Sequence, residues 1–296
     1  MTTTQTMKRT LVLLAAMVAA LMLSSTVALA EIRIGTNDPE TIVGTNSADH
    51  ITGKGGNDTL KGLARNDVYH FGDNLGHDTL TETAFVKAGK KKLPGGSDTL
   101  SFVGITGSLV EVSLIPQWVS FDPSYNRASD GGTNIVELGT SPVENVVGTP
   151  SSDHITGGSA SNTLSGGPGG HDSFEDMGGC SPTQTPHCKS ALPASNDTYL
   201  GFTVGSGGSD SIYDYGGTAD KLDLRPLRSS EVHFDALDDD GIAGYESLRI
   251  DIDSTHKAFV FGHFSPYSNE QMNGRMEQII FSDEIVTSAA ELNSLM

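Results

Sequence analysis

The chain has 296 residues, with 35 glycines, 6% aromatics, and 37 acidic against 18 basic residues, for a formal net charge of −19. That length suits one elongated domain or two compact ones, and the scarcity of aromatics argues against a dense aromatic core. So acidic a composition excludes binding nucleic acid or anionic lipid through a basic face; it suits plain solubility or the binding of cations.

Lys8 and Arg9 precede an apolar run from Leu11 to Leu23, and Ala28-Leu29-Ala30 forms a small-x-small site ahead of Glu31. This is the pattern of a cleaved secretory signal over residues 1–30. The rival reading, a membrane anchor, requires a longer run than these thirteen residues. No later segment is apolar enough to span a bilayer, so a soluble, secreted protein is expected. Loss of two basic residues and no acidic one would take the net charge to −21.

From Gly35 to His70 the chain reads in nines: GTNDPETIV, GTNSADHIT, GKGGNDTLK, GLARNDVYH. Every block opens on glycine. Position six holds Glu40, Asp49, Asp58 and Asp67; position eight holds Ile42, Ile51, Leu60 and Tyr69. The pattern recurs less regularly at Gly76/Asp78/Leu80 and Asp98/Leu100, which completes a first array over residues 31–102. A second array, 148–195, places Asp153 before Ile155, Asn162 before Leu164 and, after one inserted glycine, Asp172 before Phe174. A degenerate third set in 196–296 places Asp197, Asp210 and Asp220 before Tyr199, Ile212 and Leu222.

Repeats of this period signal a stacked architecture. A glycine-rich stretch of six residues turns sharply, and the next three form a short strand whose position-eight side chain faces inward. Two blocks complete a coil, so position six stacks on position six eighteen residues on: Glu40 with Asp58, Asp49 with Asp67, and Asp153 with Asp172 across the insertion. Stacked carboxylates repel unless a cation lies between them. Ca²⁺ accepts six to eight oxygens at irregular angles, whereas Mg²⁺ demands near-octahedral geometry. Soft metals are disfavoured, because no thiolate or histidine cluster stands at ligand spacing.

GKGGNDTLK, NDVYHFGDNLGHDTLTE, ENVVGTPSSDHITG and GSGGSDSIYDYGG resemble the RTX, or haemolysin-type, calcium-binding repeat, whose consensus is GGxGxDxUx with U apolar. The resemblance covers about half of the chain beyond the signal. It implies an all-β fold, a right-handed parallel β-roll in two or three short arrays, with Ca²⁺ in the turns. Carried over by position, the ligands are Asp49, Asp58, Asp67, Asp78, Asp98, Asp153, Asp172, Asp197, Asp210 and Asp220, with carbonyls of residues such as Gly53, Gly55 and Asn57. Asn162 and Glu40 depart from the pattern and put sites there in doubt. Many members of the family leave the cell by an uncleaved C-terminal signal, which the N-terminal segment here contradicts.

Outside the arrays, VEVSLI and NIVEL in a β-rich segment 103–147, and SLRIDI, KAFVFGHF and EQIIFSDEIV in the tail, read as strands. Lys87 and Lys90 to Lys92 read as an exposed basic loop, with an acidic polymer as the alternative ligand; Trp118 reads as a packing residue, with sugar stacking as the alternative. Asp238-Asp239-Asp240-Gly241 is an acidic turn, since an EF-hand loop placed there would begin on Ala236 and end on Ser247. Cys180 and Cys188 share one loop, and in an oxidising compartment a local disulfide is expected; free thiols, or a metal pair with His187, are the alternatives.

The sequence contains neither HExxH nor GxSxG, so a non-enzymatic calcium-binding protein is the first expectation. The alternatives are a calcium-dependent adhesion or matrix protein with a polysaccharide or cell-surface partner, and an enzyme acting on an extracellular polymer.

Overall fold

The structure is a computed structural model that describes residues 30–88, 91–106, 109–114, 127–129, 135–138, 142–176, 195–202, 204–205, 207–238, 246–261 and 276–296. The signal-like segment before Ala30, Trp118, Cys180, Cys188 and the Asp239–Gly241 turn lie outside the described residues.

Three-residue strands alternate between two sheets, as the nine-residue period requires. Ile32–Ile34 pairs in parallel with His50–Thr52, and that strand with Val68–Gly72. On the other side of the roll Thr41–Val43 pairs in parallel with Thr59–Lys61, and that strand with His77–Leu80. Ile32 lies opposite His50 and Thr41 opposite Thr59, the eighteen-residue step of a two-block coil. The result is a parallel β-roll, with sheets of ten and twelve strands among the described residues.

The two arrays join in one stack. In the first sheet Thr99–Gly104 pairs with both Val68–Gly72 and Asn145–Val147, so the first array runs directly into the second. In the second sheet the gap is filled by Glu111–Ser113, Arg127–Ser129 and Ile135–Glu137, an antiparallel meander paired in parallel at its two ends with His154–Thr156 and His77–Leu80. Lys87 and Lys92 lie on a hairpin, Phe85–Ala88 with Lys91–Pro94, where the Lys92 ammonium sits 3.3 Å from the Phe85 ring centre.

The core is two facing columns of position-eight residues. Ile51, Tyr69, Leu100, Val146, Leu164, Tyr199, Leu222 and Ile279 are in register in one sheet. Val112, Ile155, Phe174, Ile212 and Val260 are in register in the other. All of these are buried. The far end is closed by antiparallel strands Glu246–Asp251 and His233–Asp238 on one sheet and Ile285–Val286 on the other, followed by a helix, Ala289–Asn293, capped by Ser288. Among the described residues no helix is long and apolar enough to cross a membrane.

Candidate metal centre

The ten aspartates named from the repeat are all buried, none more than 5% exposed. They form two lines, one along each edge where a turn enters a strand. Each carboxylate accepts the backbone N–H of the residue one coil earlier in the same line. Asp49 N donates to Asp67 Oδ1 (2.7 Å), Glu40 N to Asp58 Oδ1 (2.9 Å) and Asp153 N to Asp172 Oδ1 (2.9 Å). The ladder survives where the period breaks: Asp58 N bonds to Asp78, Asp67 N to Asp98, Asp172 N to Asp210 and Asp197 N to Asp220. One oxygen of most of these carboxylates is therefore part of the backbone hydrogen-bond network and holds the turns in stack.

The second oxygen folds back over the glycine that opens the same block. A Cβ on Gly53 would stand 2.5 Å from Asp58 Oδ2, and one on Gly44 2.7 Å from both Asp49 Oδ2 and the carbonyl oxygen of Gly62. On Gly35 it would meet Glu40 Oε2 at 2.5 Å and the Gly53 carbonyl at 2.6 Å. Position one must therefore be glycine, because any side chain would displace the carboxylate. At Gly35 and Gly44 the same contacts bring a carboxylate oxygen and the opening carbonyl of the next coil to one point, whereas at Gly53 the second oxygen is Asp78 Oδ2, 3.5 Å from the same point, a pair of carboxylate oxygens that suits Ca²⁺. Gly55 packs against Asn37 and Asn74, and Asn57 uses its side-chain oxygen to accept His77 N (3.1 Å).

The turns are of two kinds. In GTNSADHIT and GTPSSDHIT, threonine follows the opening glycine. Thr45 donates both its N–H and its hydroxyl to Asp49, and Thr149 donates its N–H (2.6 Å) and hydroxyl (2.9 Å) to Asp153. Protein donors take both oxygens of these aspartates. In GKGGND and GLARND the backbone instead takes positive φ at alternate residues: Lys54 (73°) and Gly56 (110°), Leu63 (87°) and Arg65 (81°). Leu63 and Arg65 hold a conformation unfavourable for residues with a Cβ, so the surrounding turn must impose it. In this second class Asp58 Oδ2 and Asp67 Oδ2 are buried with no hydrogen-bond partner, and the same is true of Asp78, Asp197 and Asp220. Asp210 is closed differently, its Oδ2 lying 2.8 Å from His256 Nε2.

Burial is the main cause that raises the pKa of Asp58, Asp67, Asp78, Asp98, Asp153, Asp172, Asp197 and Asp220; the accepted backbone N–H opposes it, and for several repulsion from a neighbouring carboxylate adds to it. Asp67, Asp78 and Asp220 rise to about 7, and Asp98 and Asp172 to about 8. A buried carboxylate oxygen without a donor, at a pKa close to neutrality, is a group that needs either a proton or a cation.

The structure adds acids that the nine-residue frame does not mark. Glu144 and Glu277 continue the ladder of the first sheet, accepting Asp98 N (2.9 Å) and Asp220 N (2.8 Å). Glu82, Asp176 and Asp214 stand two residues after Leu80, Phe174 and Ile212, where the regular blocks carry the next opening glycine, and all three are buried. Asn162 needs no cation, since its side chain accepts Gly158 N (2.7 Å) and donates to the Glu144 carbonyl (2.9 Å).

The threonine turns give a direct test. Replacing Thr45 by valine removes the hydroxyl donor and leaves shape and volume close to native. We expect a loss of about 1–3 kcal/mol in the calcium-free protein, with no change in the number of calcium ions bound. Urea denaturation and calcium titration of the variant check the two halves.

Residues 34–69 and 143–170 match the family model of the RTX calcium-binding nonapeptide repeat, in four copies. These are the segments in which the regular nine-residue blocks form consecutive coils of the roll. No curated protein matches the chain.

Proposed function

We propose that this chain, which carries RTX-type calcium-binding nonapeptide repeats over residues 34–69 and 143–170, works outside the cytoplasm as a non-catalytic roll that folds around the Ca²⁺ ions it takes up. The observation that carries this is the set of five buried aspartates, Asp58, Asp67, Asp78, Asp197 and Asp220, each with an unpartnered oxygen. Left uncompensated, these charges oppose the compact state. Bound Ca²⁺ supplies the missing partner, so its binding free energy becomes folding free energy. The Lys8–Ala30 signal pattern supports the extracellular setting, and extracellular calcium modules work at dissociation constants on the order of 10⁻⁴ to 10⁻³ M.

The threonine turns refine the reading. Asp49 and Asp153 are spent on protein donors, and Asp210 on His256. Calcium is therefore assigned to the open-carboxylate turns, and the threonine coils act as self-sufficient spacers between them. Titrating Ca²⁺ into chelated, dialysed protein is expected to raise the β signal in circular dichroism together with the heat of binding. An unchanged spectrum with no heat would sink the proposal.

A further inference from the structure

Asp214 ends the strand Gly208–Asp214 of the second sheet, at the register position of Asp176 in the preceding coil. Two residues after the position-eight side chain, regular blocks carry Gly53, Gly62, Gly157 or Gly166. A glycine there leaves the inside of the turn to the block's own position-six side chain. An aspartate instead sends a carboxylate across the roll to the acid line of the opposite sheet. Carboxylate oxygens of Asp197, Asp214 and Asp220 come within 4.8 Å of one another, and all three residues are fully buried.

The free valences at this point are specific. Asp197 Oδ1 accepts Asn162 N (2.6 Å) and Asp220 Oδ1 accepts Asp197 N (2.8 Å), which leaves Oδ2 of each without a partner. Asp214 is held in place from both sides: Gly216 N donates to its Oδ1 (2.9 Å) and the buried Tyr199 hydroxyl to its Oδ2 (3.0 Å). Among the described residues, the ion pairs made by lysine and arginine fall on Glu31, Asp223, Asp235 and Asp251, not on these three acids. The first array repeats the device: Glu82, also in place of an opening glycine, accepts the Tyr69 hydroxyl and Gly62 N (2.7 Å).

We propose that Asp197, Asp214 and Asp220 form a buried three-carboxylate seat for one calcium ion inside the roll, which replaces separate turn sites at Asp197 and Asp220 and stands beside the turn sites at Asp58, Asp67 and Asp78. This rests on the calcium reading above and deepens it. Three carboxylates in one buried place concentrate more negative charge than a turn with a single open aspartate, so this seat is the tighter class. Its donors are all hard oxygens, which excludes zinc and copper as the preferred ions. Its irregular arrangement, with all three carboxylates each tied through one oxygen to a backbone N–H, suits calcium over magnesium.

The test is calorimetric titration of the full mature chain with Ca²⁺, wild type against Asp214→Asn. Asparagine keeps an oxygen acceptor for Tyr199 and Gly216 and removes the charge. The expected result is the loss of one ion from the stoichiometry, or at least a tenfold weaker tightest class, with the remaining sites unchanged. Should Asp214→Asn not fold at saturating calcium, Asp214→Gly, which restores the residue of the regular block, is expected to fold with one ion fewer. Wild-type stoichiometry and affinity in the variant that folds would overturn the seat while leaving the turn sites standing. A wild-type chain that binds no calcium would instead overturn the calcium reading itself and the seat with it.

Discussion

With calcium removed, the roll is expected to lose stability as the pH rises from about 4 to 8. Asp98 and Asp172 sit near 8 in the folded chain, and Asp67, Asp78 and Asp220 near 7, principally through burial. In the unfolded chain an aspartate titrates near 3.9. Between these values the folded state holds protons that the unfolded state has released. The sign of the linkage is then fixed: stability is fully present below about pH 4 and is lost as pH climbs through 7 to 8. Calcium does the work of the protons, so its effect runs the other way and grows with pH.

Thermal melts of dialysed protein at pH 5 and pH 8 check this. For a chain of this size each kcal/mol moves Tm by about 2–4 °C, and several coupled acids should lower the calcium-free Tm by roughly 10–20 °C over that interval. Saturating calcium should raise Tm far more at pH 8 than at pH 5, and the titration at pH 7 should release protons. A calcium-free Tm that rises with pH would show that the buried acids carry their charge without penalty, and the proposed role of calcium would fall.

The regular coils were legible in the sequence because the information that makes them is local. Glycine at position one and an apolar side chain at position eight lie within nine residues of one another, and the acid at position six meets its partner one coil away. Ile32 opposite His50 and Asp49 bonded to Asp67 follow directly from that period. The ladder beyond Asp67 is non-local. Its next rungs, Asp98, Glu144 and Glu277, are separated from their partners by 31, 46 and 57 residues, and no frame of nines crosses such insertions.

The finer chemistry was present in the letters but needed the fold to be read. Threonine after the opening glycine distinguishes GTNSAD and GTPSSD from GKGGND, yet only the geometry shows that its donors saturate Asp49 and Asp153. Asp214 looks like one more acid in an acidic chain. Its meaning comes from its standing where a glycine belongs and from Tyr199, whose hydroxyl reaches it across the interior. A tyrosine at position eight, followed one block later by an acid where an opening glycine belongs, is the signal that would have found both Glu82 and Asp214.

Two substitutions at Asp67 are expected to have opposite effects on the calcium-free roll. Asp67 Oδ1 accepts the N–H of Asp49, while Oδ2 has no partner. Asp67→Asn retains the acceptor and removes the buried charge. Asn162 shows that an amide fits at position six, although there its Nδ2 bonds to a carbonyl one coil back and its oxygen accepts Gly158 N of its own turn. At pH 8 without calcium this variant should therefore be more stable than wild type, by about 1–3 kcal/mol, the scale of relieving one buried unsatisfied group. In saturating calcium the order should invert, because the ion at that turn has lost a charged ligand. Asp67→Ala removes both features. It leaves the buried Asp49 N–H without an acceptor at a cost of about 1–3 kcal/mol, so it should lower stability with and without calcium. Chemical denaturation of the three proteins in both conditions separates the roles. If Asn and Ala destabilise alike without calcium, the second oxygen of Asp67 supports the fold unaided, and the turn is not a seat waiting for a cation.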